Sequence, residues 1–412
     1  MNAAVVYVIG AGLAGLSAAV RASEAGRKVV LIEAARQAGG RCRSYFDAAT
    51  GLTIDNGNHL VASGNHAVND YLALIGASDR LEGFAEARFD YVDLRSAKRW
   101  TLRPNGSRLP WWVAVPGRRV PGTRLGDYLK LAALLRDHPG KTVGEVIPTT
   151  GPLWDRLLNN FFLSALNTPA ALGSARLAGA IVRETLAAGG NAYAPRVAVP
   201  TLAAAFVDPA LAYLNARGAE VRLGTRLRSL TMADDRATAL TIGDAAITLG
   251  PGDRVILAVP PWVAAELLPG LTVPDAFHAI VNAHYAVTPP AGAPPILAVL
   301  GGTAEWVLAH ADRISVTVSG ADALAAQDRE GIAAILWADV CGAYGITAEL
   351  PRWQVIKENR ATFATTPEQD AKRPGAATRL SNVALAGDWT QTGLPATIEG
   401  AIRSGVTAAV TF

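Results

Sequence analysis

Residues 3 to 41 read AAVVYVIGAGLAGLSAAVRASEAGRKVVLIEAARQAGGR, and their order decides the fold: an apolar strand, a glycine turn, a helix, a second strand ending in an acid, then Gly-Gly-Arg. Each part answers one demand of a pyrophosphate joined to a ribose. Gly10 permits the tight turn after Val5 to Ile9, Gly12 with Leu13 and Ala14 lets backbone approach the phosphates, and Gly15 lets the helix pack closely on the strand. The phosphates then rest on unpaired N–H groups at a helix N-terminus. Glu33, followed by Ala34, closes the second strand where a carboxylate accepts hydrogen bonds from ribose hydroxyls and disfavours a 2′-phosphate. A lone glycine pattern is weak, but Leu13, Leu16 and Val20 recur at helical spacing, Gly26 stops the helix, and Lys28 to Ile32 reads as a buried parallel strand. The expected class is α/β, a Rossmann-like dinucleotide domain with an α+β second domain.

At 412 residues the chain exceeds one comfortable core, so two domains are expected. Half the residues are hydrophobic and 18% are charged, which excludes a disordered chain. With 38 basic and 35 acidic side chains, the charge is too balanced for a nucleic-acid partner. Two cysteines, Cys42 and Cys341, imply no disulfide framework and a reducing cytoplasm. No metal site is expected. The uncharged first 20 residues lack a basic leader, and the uncharged run Ala276 to Ala304 is broken by Pro289, Pro290, Pro294 and Pro295, so no transmembrane helix is expected.

Further along, Pro209 to Arg217 reads as a helix capped by Gly218, Glu220 to Leu223 as a strand, Leu227 to Met232 and Ala237 to Ile242 as a hairpin, and Arg254 to Val259 as a strand leading to Pro260-Pro261. Asn382 to Ala386 reads as a short buried strand, Gly387-Asp388 as its turn, and Ala396 to Val410 as a helix. Tyr128 to Leu135, Trp154 to Leu166 and Ala321 to Cys341 read as helical.

The extension Gly39-Gly40-Arg41 after Glu33 resembles the flavoprotein superfamily of amine oxidases, phytoene desaturases and protoporphyrinogen oxidases. That resemblance implies FAD, with Gly40 and Arg41 at the pyrophosphate; a guanidinium fork suits phosphate oxygens. It also implies that backbone near Leu227 contacts adenine, that Asp388 engages the ribityl or pyrophosphate region, and that N–H groups around Ala396, Thr397 and Ile398 face the flavin ring. The FAD domain is then discontinuous, from residues 1–79, 191–261 and 376–412, with a substrate domain from 80–190 and 262–375.

Asp55-Asn56-Gly57-Asn58-His59, Asn167-Thr168-Pro169, KENRATFATTP (357 to 367) and the ending QTGLPATIEGAIRSG resemble the squalene-associated FAD-dependent desaturase family across the whole chain. Thr397 stands where amine oxidases usually carry an aromatic residue, and no cysteine lies in the closing motif, so the FAD is expected to be non-covalent. The resemblance implies reductive dehydroxylation of hydroxysqualene to squalene in hopanoid biosynthesis, with Asn56, Gly57, Asn58 and His59 at the cofactor. Such chemistry requires a proton for the leaving oxygen and an apolar channel. His59 fits either an acid or hydroxyl-orienting role, or a plain hydrogen bond to cofactor or backbone. Asn58 fits hydroxyl positioning, Asp55 a turn-holding role, and Thr392 with Gln391 a place near the ring. A carotenoid-type desaturase and a non-catalytic isoprenoid carrier are the alternatives. Arg95 to Arg124 interleaves eight Arg/Lys with Trp100, Trp111 and Trp112, which fits peripheral contact with the inner face of the cytoplasmic membrane or, equally, core tryptophans beside a solvated basic face. No second glycine-turn unit for a nicotinamide nucleotide is present, so an external electron donor is expected.

Overall fold

The computed structural model describes residues 4–412. Strands Val5–Ile9 and Lys28–Ile32 run parallel, with Val5 opposite Lys28 and Ile9 opposite Ile32, and helix Leu13–Glu24 crosses between them. They lie within a five-stranded parallel sheet in the order Glu220–Arg222, Lys28–Ile32, Val5–Ile9, Arg254–Leu257, Val383–Leu385. Near-continuous Val, Ile and Leu suit strands covered on both faces, and Val8, Leu31, Ile256 and Leu385 are fully buried. Three distant stretches of chain therefore build one sheet.

Close backbone approach fixes the helices around it. A Cβ on Gly15 would stand 1.8 Å from Gly10 O, and one on Gly405 would stand 2.2 Å from Ala14 O. The helix Ile398–Ala409 thus lies directly on the opening helix, where Ser17 Oγ also donates to Ile402 O at 3.0 Å.

A seven-stranded sheet forms the second layer, in the order Trp353–Phe363, Phe277–Tyr285, Ile314–Val318, Trp306–Ala309, Ile296–Leu300, Phe89–Asp93, Lys98–Leu102. Val281, Ala283, Tyr285 and Val316 pack in one apolar cluster with the helix Arg329–Tyr344. By strand alternation the opposite face carries Asn282 opposite Thr317 and His284 opposite Ser315. These polar groups meet the segment Asp55 to Asn58.

Several helical readings shift in detail. Ala321 to Cys341 is two helices, Asp322–Ala325 and Arg329–Tyr344, because Asp328 caps a new start by accepting from Gly331 N at 2.7 Å. Tyr128 to Leu135 divides into helix Leu125–Leu129 and a tighter turn Lys130–Leu135. Pro261 opens a short helix, Pro261–Leu267, since proline is tolerated where the first N–H has no partner. Asn167 ends the helix Asn159–Leu166 in the left-handed region, φ 45°, while its side chain donates to His278 O and Thr362 Oγ1 and accepts from Gly320 N at 2.6 Å. Asn167→Ala forfeits these bonds and keeps the backbone strain, so a loss of about 2–4 kcal/mol is expected in denaturant unfolding.

Candidate functional site

The glycine turn separates what the chain itself requires from what a ligand requires. Gly10 (φ +105°) and Gly15 are fixed by backbone contacts, the first with Ala258 O. Gly12 has φ −72° and ψ 175°, open to any residue, and a Cβ there would meet nothing within 4 Å. Nothing in the protein demands glycine at that point, so the space over it is what fits a ligand. The opening helix has neither a side-chain cap nor an acid in its first turn, leaving its positive end for an anion. Gly39 N donates to Ala11 O at 2.8 Å, and a Cβ on Gly40 would lie 3.3 Å from Gly12 Cα, so the Gly-Gly-Arg segment roofs the turn.

Glu33 shapes the ribose end. Its Oε2 accepts from Ala11 N at 2.7 Å and its Oε1 from Ala35 N at 2.8 Å. Ionised carboxylate oxygens retain further lone pairs for hydroxyl donors. Thr225 N donates to Glu33 O and Gly224 N to Ala35 O, which brings residues 224–227 alongside Glu33 and the exposed Ala34. The Leu227 side chain itself is buried in the core, leaving only its backbone for a ligand.

Arg41 joins three parts of the chain. Its Nη2 donates to Asp388 Oδ1 and Oδ2 at 2.8 and 2.7 Å, and its Nη1 to Ala361 O in the strand Trp353–Phe363. Asp388 holds the guanidinium more firmly protonated than usual, against the opposing effect of burial. Sequence reading missed Arg373, which organises the same loop: fully buried, it donates through Nη2 to Asp388 O, Thr390 O and Thr392 Oγ1, and through Nη1 to Asp370 Oδ1. No local pattern marks it, because its partners lie in a loop that only folding brings over it. The Thr392 hydroxyl is committed to Arg373 and Leu394, a loop-holding arrangement.

The segment Asp55 to Asn58 is held on the polar face of the seven-stranded sheet. Asp55 Oδ1 accepts from Ser44 Oγ at 2.5 Å and from Leu202 N at 2.9 Å. Asn56 N reaches Arg43 O at 2.9 Å, a Cβ on Gly57 would stand 3.2 Å from Asn282 Nδ2, and Asn58 Nδ2 donates to Thr317 Oγ1 at 3.0 Å. Burial, and next the Arg41 charge, lower the His59 pKa to about 4. At neutral pH His59 is therefore an uncharged hydrogen-bonding ring and holds no transferable proton beyond its N–H.

His284, fully buried, binds Asp55 O at 3.0 Å through Nε2 and Ser315 Oγ at 2.8 Å through Nδ1, a set that a neutral ring satisfies. Burial first, then Arg313, lower its pKa to about 3. Because the folded value lies below the unfolded one, this contribution to stability is complete above about pH 6.5 and is lost as pH falls toward the folded value. Thermal unfolding from pH 7 to 4 should show stability falling, and His284→Gln should reduce that slope by up to about 1.4 kcal/mol per pH unit.

Thr397 begins the closing helix by accepting from Gly400 N at 3.0 Å, with Ala396 before it and Ile398 after it. Glu399, which sequence reading also missed, reaches Ala67 N and Val68 N at 3.0 and 2.9 Å and so fixes the helix His66–Leu74. The uncapped first turn of the opening helix and Arg41 offer donors, and Glu33 offers acceptor oxygens, the kinds of group that a pyrophosphate and a ribose require.

The model of the flavin containing amine oxidoreductase family matches residues 13–411. The hydroxysqualene dehydroxylase of Sinorhizobium fredii is 54% identical, covering 98% of this chain and 97% of its own, and that of Rhodopseudomonas palustris is 53% identical over the same shares. In fold the chain is similar to cyclohexylamine oxidase from Brevibacterium oxydans, with TM-score 0.71, 16% identity, and 99% and 98% of the two chains covered. With FAD as its cofactor, the chain belongs to the flavin containing amine oxidoreductase family, in the branch of the hydroxysqualene dehydroxylases.

Proposed function

We propose that the protein converts hydroxysqualene to squalene by reductive loss of the allylic hydroxyl. The observation that carries this reading is the 54% and 53% identity with hydroxysqualene dehydroxylases across 98% of the chain. When bound in its reduced form, FAD supplies the hydride. The chain's own part is to hold the nucleotide through Gly12, Leu13, Ala14, Glu33, Arg41 and Asp388, and to place the hydroxyl with Asn58 and the uncharged His59. Asn56, Gly57 and the backbone at Ala396 to Ile398 face the ring in this reading. Tyr91 stacks on Trp100 with centroids 5.3 Å apart and meets Trp306 at 6.5 Å within the core. The FAD domain is assembled from 1–79, 191–261 and 376–412, and an external donor reduces the flavin. Incubating the protein with hydroxysqualene after its flavin is reduced by dithionite and, separately, with phytoene and oxidised flavin should give squalene from the first and no desaturated product from the second. The reverse pattern would assign a carotenoid-type desaturase.

Access from a bilayer is supported by the segment 108–136. Among the described residues no helix is long and apolar enough to cross a membrane. Yet Leu109 is 74% and Leu129 68% exposed, with Trp111, Val115, Leu125 and Leu135 also exposed among Arg108, Arg124, Lys130 and Arg136. Arg118 lies 4.8 Å over the Trp111 ring. Trp112 is buried and Trp100 half-buried, so the tryptophans divide between surface and core. Apolar tips among cations suit an anionic lipid surface, and we place the protein peripherally on the cytoplasmic side. Leu109→Ser with Leu129→Ser should weaken co-sedimentation with anionic vesicles by about tenfold or more, since each burial is worth about 1.5–3 kcal/mol when complete. Unchanged sedimentation would remove this segment from membrane contact.

A further inference from the structure

Burial and the Arg41 charge favour the uncharged ring of His59, and the structure holds a second acid, Glu305, in the same region. Glu305, 6% exposed, donates its N–H to Thr317 O and so lies beside the residue that Asn58 contacts. Its Oε2 accepts from Ser319 N at 2.7 Å, and its Oε1 shares a short hydrogen bond with Ser164 Oγ. Ser164 Oγ also accepts from Trp306 Nε1 at 2.7 Å and lies 2.8 Å from Asn160 O. A serine hydroxyl has one hydrogen and here two acceptors within reach. A protonated Glu305 would supply the second hydrogen, so that both contacts are full hydrogen bonds. Burial raises its pKa, against the lowering effect of its bonds to Ser164 and Ser319, and no cation enters the balance. Burial without a neighbouring cation favours the uncharged form of a carboxyl.

A second observation points to a hydroxyl-bearing ligand at this place. Asn160 Oδ1 is buried with no donor, one helical turn before Ser164 on the same face. Ser164 itself is partly exposed, whereas Glu305 behind it is buried.

We propose that Glu305 stores the proton taken by the departing hydroxyl, that Ser164 Oγ relays it, and that Asn160 Oδ1 accepts the hydroxyl's own hydrogen. The inference rests on the dehydroxylase reading. The C–O bond breaks with its electron pair on oxygen; that oxygen takes the Ser164 hydrogen and leaves as water, while Ser164 takes the Glu305 proton. The allylic carbon would take the hydride that bound, reduced FAD supplies, and the Glu305 carboxylate regains a proton from solvent after product leaves.

Glu305→Gln tests this, because a glutamine donates to Ser164 and accepts from Ser319 as the neutral acid does, so fold and FAD content should be preserved. In anaerobic single turnover with hydroxysqualene, flavin reoxidation in E305Q should be about a hundred- to ten-thousand-fold slower than in wild type. Independently of turnover, the infrared difference spectrum of wild type minus E305Q at pH 7 should contain a protonated-carboxyl band. Absence of that band, or an E305Q rate equal to wild type, overturns the role of Glu305 alone. Wild-type protein that leaves hydroxysqualene untouched overturns the dehydroxylase reading, and this proposal with it.

Discussion

Gly12→Val is expected to abolish FAD retention while leaving the polypeptide folded. The position has an ordinary extended backbone, and a Cβ there meets no atom of the chain within 4 Å, so a side chain starts in open space. The same space is where the first turn of Leu13–Glu24 presents uncapped N–H groups. Two methyl groups over those donors hold a pyrophosphate out of hydrogen-bond reach, and affinity should fall by at least about a hundredfold, the loss of two bonds to charged groups at about 1.5–3 kcal/mol each. Purified G12V should be colourless, yet keep wild-type circular dichroism and cooperative melting in the apo form. Gly15→Ala gives the contrasting result: its Cβ would stand 1.8 Å from Gly10 O, so the turn and helix cannot close and the protein should not accumulate as a folded species. A yellow G12V protein would mean that the nucleotide lies elsewhere.

Arg373→Met should cost about 3–5 kcal/mol of stability, the range for removing one partner of a buried ion pair. Its guanidinium is fully buried and engages Asp370 together with Asp388 O, Thr390 O and Thr392 Oγ1. Arg176 still pairs with Asp370 at 2.6 Å after the substitution, so the main loss falls on the carbonyls of the loop, which have no water to turn to. That loop carries Asp388, the partner of Arg41, so FAD retention should fall together with stability. Arg373→Lys restores charge without the planar fork and should recover part of the stability but not the flavin content. Equal melting temperatures for R373M and wild type would contradict the arrangement.

What was legible in the sequence follows from how local each feature is. The strand, turn and helix of residues 5–32 are written in short-range pattern, since glycine spacing, apolar periodicity and a terminal acid all fall within one unit. The pairing of Arg41 with Asp388 spans 347 positions, and no spacing rule reaches that far; the motifs at each end placed both residues at the cofactor, but not against each other. Arg373, Glu399, Glu305 and Ser164 gave no signal. Each looks like an ordinary polar residue in the sequence, and its meaning lies in partners supplied by other elements. The divided helix at Asp328 was missed for the opposite reason, because a local cap outweighed a continuous apolar pattern.

The most direct test of the account is anaerobic. The protein is reduced with dithionite, hydroxysqualene is added, and flavin absorbance is followed while lipid is extracted for mass spectrometry. The account predicts return of the oxidised flavin spectrum with one squalene formed per flavin. Flavin that stays reduced, with hydroxysqualene recovered intact, would contradict it.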